Sequence, residues 1–106
     1  MEHYISFSSS NSHNFDEIVN GNSVKLHILY NYYLKTYYIN VDIYRDEDYV
    51  NIISGLQMTT GTNLLSQWSY LNLGSLELIP MNTKYLDSLP TPETIMENYI
   101  LVWDYD

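Results

Sequence analysis

The alternation of apolar and polar residues between Ser23 and Tyr44 constrains this chain more than any other feature. From Ser23 to Tyr30, Val24, Leu26, Ile28 and Tyr30 fall on one side and Lys25 and His27 on the other. From Lys35 to Tyr44, Tyr37, Ile39, Val41 and Ile43 share one side while Tyr38, Asn40, Asp42 and Tyr44 share the other. A period of two puts successive side chains on opposite faces of a strand, whereas a helix would scatter the same residues around its circumference. The two runs, joined by Asn31 to Leu34, are therefore expected to pair as antiparallel strands. In the second of them Ile39, Val41 and Ile43 should be buried and Asp42 exposed. Upstream, Asn20-Gly21 supplies the positive φ angles of a type I′ turn, which predicts a hairpin around it. Downstream, Arg45 to Asp48 reads as a polar turn and Tyr49 to Ser54 as the next strand of a meander.

The remaining segments extend this pattern. His3 to Ser9 alternates as a first strand, and Ser8 to Asn14 reads as a polar linker. Gly55 and Gly61 punctuate the chain. After Thr62 the period changes: Leu64, Trp68 and Leu71 have helical spacing, and Thr62 or Asn63 can cap. A short helix near 63–70 is expected, ended by Gly74. Ser75 to Ile79 follows as a strand closed by Pro80, and Tyr99 to Trp103 as a last one, with a helical turn over Thr94 to Glu97 before it. The predicted fold class is all-β, mainly an antiparallel meander in a small barrel or sandwich, with one short helix. With 106 residues the chain is read as a single domain. Residues 1–22 form a separate arm or first hairpin, and 81–98 a long connection holding Pro90 and Pro92.

Charge narrows the function. Thirteen Asp and Glu against four Lys and Arg give a net charge of −9. Direct nucleic-acid binding would lack its main driving force, counterion release by cationic side chains. A scattered acidic surface is ordinarily a solvated one; the alternative is a surface that imitates nucleic acid and captures a protein that binds it. There is no cysteine, so neither a disulfide framework nor a thiolate site exists. The amino terminus lacks a basic-plus-apolar leader, and no apolar run approaches the about 18 residues of a membrane span. Cytoplasmic synthesis and no membrane partner are expected.

Catalytic and metal-binding patterns were sought and none emerged. His3, His13 and His27 have no ligand at metal spacing, and His27 suits a surface or cross-strand role. Asp46, Glu47 and Asp48 invite a calcium reading, but Val50 and Asn51 break the loop pattern that calcium requires. No glycine-rich phosphate loop or nucleophile elbow occurs, and Trp68 and Trp103 read as core. The expectation is a protein that is not an enzyme and has no catalytic, cofactor-binding or metal-binding residues. The distinctive resource is twelve tyrosines against two Trp and two Phe. Tyrosine packs its ring while its hydroxyl stays wet, which suits protein interfaces. Tyr32, Tyr33, Tyr38 and Tyr44 are the candidate partner-binding residues.

One part of the chain resembles a known family. Tyr37-Tyr38-Ile39-Asn40-Val41-Asp42-Ile43-Tyr44, then Gly55-Leu56, then Thr60-Gly61-Thr62-Asn63-Leu64-Leu65-Ser66-Gln67-Trp68 and Tyr70-Leu71-Asn72-Leu73-Gly74-Ser75-Leu76, resemble the small phage baseplate plug proteins. The resemblance covers about residues 35–79, with Tyr99 to Tyr105 as a looser counterpart of the closing strand. The chain departs from the family pattern at Val50 to Ser54, where a proline is usual, and at the Pro-rich stretch Ser88 to Glu97. The resemblance implies a virion structural protein in the central hub of a tail baseplate. It would bind other baseplate or hub proteins and self-associate, with a trimer favoured by hub symmetry.

Overall fold

The alternating runs fold as strands because one face of each must leave water while the other stays wet. The computed structural model describes residues 2–7, 12–81, 90–92 and 95–105. In chain order its elements are β1 (Glu2–Ile5), β2 (Ser12–Val19), β3 (Asn22–Asn31), β4 (Thr36–Arg45), β5 (Asp48–Gln57), a 3-10 segment (Ser66–Leu71), β6 (Ser75–Pro80), one helical turn α1 (Ile95–Asn98) and β7 (Tyr99–Asp104). Among the described residues the strands form two antiparallel sheets, one ordered β2-β3-β4-β5 and the other β1-β7-β6. Val24, Leu26, Ile28, Ile39, Val41 and Ile43 of the first sheet join Leu76, Leu78, Leu101 and Trp103 of the second in one buried cluster. The all-β, antiparallel expectation holds, and the arrangement is a two-sheet sandwich. Burying each such side chain contributes roughly 1.5–3 kcal/mol.

Turn chemistry sets the registers. Asn20 and Gly21 both have positive φ, 50° and 85°, and align Val19 with Asn22 in the β2–β3 hairpin. The β4–β5 hairpin turns on Asp46 and Glu47, at φ 53° and 70°, which is type I′ geometry with no glycine in it. The β3–β4 loop is held by Asn31, whose Oδ1 accepts from the Tyr33 and Leu34 amides at 2.9 and 3.0 Å. Lys35 closes that loop in the left-handed region.

Five local expectations change. Residues 12–14, read as linker, are the first part of β2; residues 8–11 of that linker lie outside the described residues. Strand β2 escaped its pattern because its inner face carries His13 and Glu17 beside Phe15 and Val19. His13 packs among the rings of Phe7, Phe15 and Tyr37, and Glu17 accepts a 2.8 Å hydrogen bond from the Tyr105 hydroxyl. The helix near 63–70 is a 3-10 segment over Ser66–Leu71, broken by non-helical backbone at Trp68 (φ −117°, ψ 29°). Asn63 does not cap it; its Oδ1 accepts from the Leu65 and Leu76 amides, both at 3.0 Å, tying the loop to β6.

Nor does Gly74 end that segment, since Asn72 does, in the left-handed conformation. Gly74 instead lies against β7, where an added Cβ would stand 2.2 Å from the Asp104 carbonyl oxygen. Asp42 is partly covered rather than exposed. It pairs with His27 Nε2 at 3.4 Å and accepts from Asn51 Nδ2 at 2.9 Å. His27 also meets Asn14 at 2.5 Å, so a polar ladder crosses all four strands of that sheet. Of the connection over 81–98, residues 82–89 and 93–94 lie outside the described residues, while Pro90 is buried.

Candidate functional site

A four-residue hairpin loop is the one place where polar residues are expected and solvent should be kept from nothing. The β3–β4 loop departs from that rule: Tyr32, Tyr33 and Leu34 stand 63%, 98% and 70% exposed. Leaving large apolar side chains in water forfeits burial energy that the fold could have used. The loop is nevertheless well braced. Tyr30 packs edge-on at 5.0 Å to both Tyr32 and the fully buried Tyr37. An aromatic run thus ties the loop to the core, and Tyr33 and Leu34 project from it.

Beside the tip, the outer face of β4 and β5 forms a groove of about 480 Å³ lined by Asn31, Leu34, Thr36, Tyr38, Gly55 and Gln57. Tyr38 sits on its floor opposite Gln57. A β-bulge makes room: Gly55 adopts φ 69°, and its amide donates to Asn40 Oδ1 at 2.9 Å. The second bulge of β5 falls beside Asn51 and Ile53, where the register against Val41 and Asp42 shifts. Bulges interrupt the ladder of an edge strand and blunt it as a template for further strands. A second groove, of about 260 Å³, continues on the far side of Gln57 toward Asn63, Gln67 and Trp68.

The four tyrosines proposed from sequence separate into two places. Tyr32, Tyr33 and Tyr38 gather at the tip and its groove. Tyr44 lies six residues farther along β4, about 20 Å at a strand's rise per residue. There it packs edge-on to Tyr49 at 5.2 Å, Lys25 Nζ lies 4.2 Å from the Tyr49 ring centre, and Ser23 and Tyr49 share a 2.9 Å hydroxyl contact. Sequence reasoning passed over Leu34 and Tyr70, the latter 77% exposed on the 3-10 segment. Leu34 was signalled by the unbroken apolar triplet Tyr32-Tyr33-Leu34 inside a turn. Tyr70 carried no such signal, because its neighbours keep helical spacing.

Two tyrosines elsewhere have perturbed acidity. Burial and the Glu17 carboxylate push the Tyr105 hydroxyl up to about 12; its ring stacks on His3 at 4.1 Å. The hydrogen bond to Glu2 raises Tyr4 above the usual phenol range. Both hydroxyls act as donors, and neither borders the tip. The acids do not share one face: Glu77 and Asp104 belong to one sheet, Asp16 and Asp42 to the other, and Asp46, Glu47 and Asp48 to the β4–β5 hairpin. Among the described residues, no three or more His, Asp or Glu gather as a metal site.

Comparison with known proteins gives one family. The model for the cyanophage baseplate Pam3 plug gp18 matches residues 2–106. No curated protein matches the chain.

Proposed function

Because the chain belongs to the family of the cyanophage baseplate Pam3 plug gp18, a structural role in a phage tail baseplate is its starting point, and we propose that it fills that role by protein–protein binding rather than catalysis. It docks on neighbouring baseplate or hub proteins, self-associates with three copies favoured by hub symmetry, and takes up neither nucleic acid nor membrane. It is made in the host cytoplasm and ends in the virion. The observation that carries the binding reading is the braced, exposed aromatic tip: Tyr33 at 98% exposure on a hairpin tied to the core by Tyr30 and Tyr37 is the kind of anchor that interfaces bury.

The alternative of an acidic inhibitor that imitates DNA needs carboxylates concentrated on one face, and the distribution of the acids over both sheets and a hairpin favours the plug. The test is mass spectrometry of purified particles, before and after the baseplate is stripped from the tail. The chain is expected in intact particles and lost with the baseplate fraction. Absence from particles, together with capture of a nucleic-acid-binding protein at low salt only, would overturn the reading, since a charge-driven grip weakens beyond a Debye length of about 8 Å at 0.15 M.

A further inference from the structure

Charge is distributed very unevenly along this acidic chain. Between Asp48 and Glu77 there is no Asp, Glu, Lys or Arg at all, and between Lys25 and Asp42 the one such residue is Lys35. The fold brings these two stretches together. The β3–β4 tip, the bulged end of β5 and the segment from Thr59 to Trp68 share one continuous surface, because both grooves have Gln57 in their walls. Tyr33 stands beside it, Leu34, Tyr38 and Trp68 line it with amides and hydroxyls, and among the described residues no carboxylate lines either groove; Glu77 lies only beyond Thr60 and Gly61.

We infer that this end, whose grooves hold no carboxylate among the described residues and whose tip carries Lys35 as its one charge, is the face on which a second copy of the chain docks, the Tyr33–Leu34 tip of one copy entering the groove over Tyr38 and Gln57 of the next. Electrostatics selects the occupant. Two bodies each carrying −9 repel wherever their acids face each other, and the carboxylates of β2, of the β4–β5 hairpin and of the outer side of β1, β6 and β7 would do so. The tip and its groove offer an approach without like-charge contact. Shape agrees: Tyr33 projects beside a groove of about 480 Å³ with Leu34 on its rim, so one chain supplies both halves of the contact. Knob-to-groove contacts that repeat from copy to copy close into a ring when the rotation permits. A basic partner would gain nothing here, since the attraction of the chain's charge lies elsewhere.

The inference rests on the assembly reading above but is separable from it. The assay is light scattering with sedimentation on the purified chain across a concentration series, from low salt to 1 M. Wild type is expected to self-associate, and to do so at least as well at high salt, because apolar burial is not screened. Tyr33→Asp and Leu34→Asp, both on the solvent side of the loop, should weaken association about 30-fold or more, the loss of one hot-spot residue. They should leave the melting temperature nearly unchanged. Tyr44→Asp, at the far end of β4, should associate like wild type.

A wild-type chain that stays monomeric at all concentrations overturns the inference. So does association that Tyr44→Asp breaks and the tip variants do not. So too does a tip that is needed only to bind another baseplate protein. In each of these cases, detection of the chain in particles would leave the structural role standing.

Discussion

Gly74 and Gly61 make a matched pair, because both hold φ +81° while their surroundings differ completely. An alanine at either position must adopt the left-handed region, at a cost of about 1–2 kcal/mol. Loss of unfolded-state freedom returns about 0.4–1 kcal/mol of that. At Gly61 nothing lies within 4 Å of the new Cβ, so Gly61→Ala should cost about 1.5 kcal/mol or less. At Gly74 the Cβ would stand 2.2 Å from the Asp104 carbonyl oxygen and 2.9 Å from Tyr105 Cβ. Both belong to the chain that leaves β7, whose Trp103 is fully buried and donates from Nε1 to the Leu73 carbonyl at 2.8 Å. That end cannot retreat without disturbing the core, and overpacking of this kind costs about 1–3 kcal/mol. Gly74→Ala should therefore lose about 2–4 kcal/mol. Near 4 °C per kcal/mol for a domain of this size, that is a fall of about 8–16 °C against a few degrees for Gly61→Ala. Thermal and urea unfolding of the three proteins measure both values. Equal losses for the two variants would refute the claim that β7 presses on Gly74.

Two further outcomes follow from single side chains. Asn63→Ala removes the acceptor shared by the Leu65 and Leu76 amides and should cost about 1–3 kcal/mol in urea unfolding; Asn63→Asp, which keeps an acceptor, should recover most of it. Tyr105 titrates at about 12 in the fold against 10.0 ordinarily, so its contribution is complete below pH 10 and is lost as pH rises toward 12. Stability measured between those limits should fall more steeply for wild type than for Tyr105→Phe, and parallel curves would show that burial beside Glu17 does not hold the proton.

The baseplate family was legible from the strand 37–44 and the strings around Gly61 and Gly74, because side-chain identity there is itself the signal. Part of the site was legible too: Tyr32, Tyr33 and Tyr38 stand out as aromatics in or beside a turn. Tyr44 looked equivalent by residue type and lies elsewhere, since distance along a strand converts directly into distance in space.

What the sequence determined by itself is what depends on neighbours a few residues apart. Strands β3 and β4 follow from a period of two, the β2–β3 turn from Asn20-Gly21, and the acidic charge from composition. What the tertiary structure decided depends on residues far apart in the chain. Strand β2 keeps two polar residues on its inner face because Tyr105, 88 residues away, satisfies Glu17, and the rings of Phe7, Phe15 and Tyr37 surround His13. Gly74 is required by a close approach to β7, not by the helix it follows. The groove beside the tip exists because pairing of β4 with β5 sets Tyr38 opposite Gln57. Local conformation is settled by steric rules over a few bonds; packing is settled by which surfaces can leave water together, and only the folded chain chooses those.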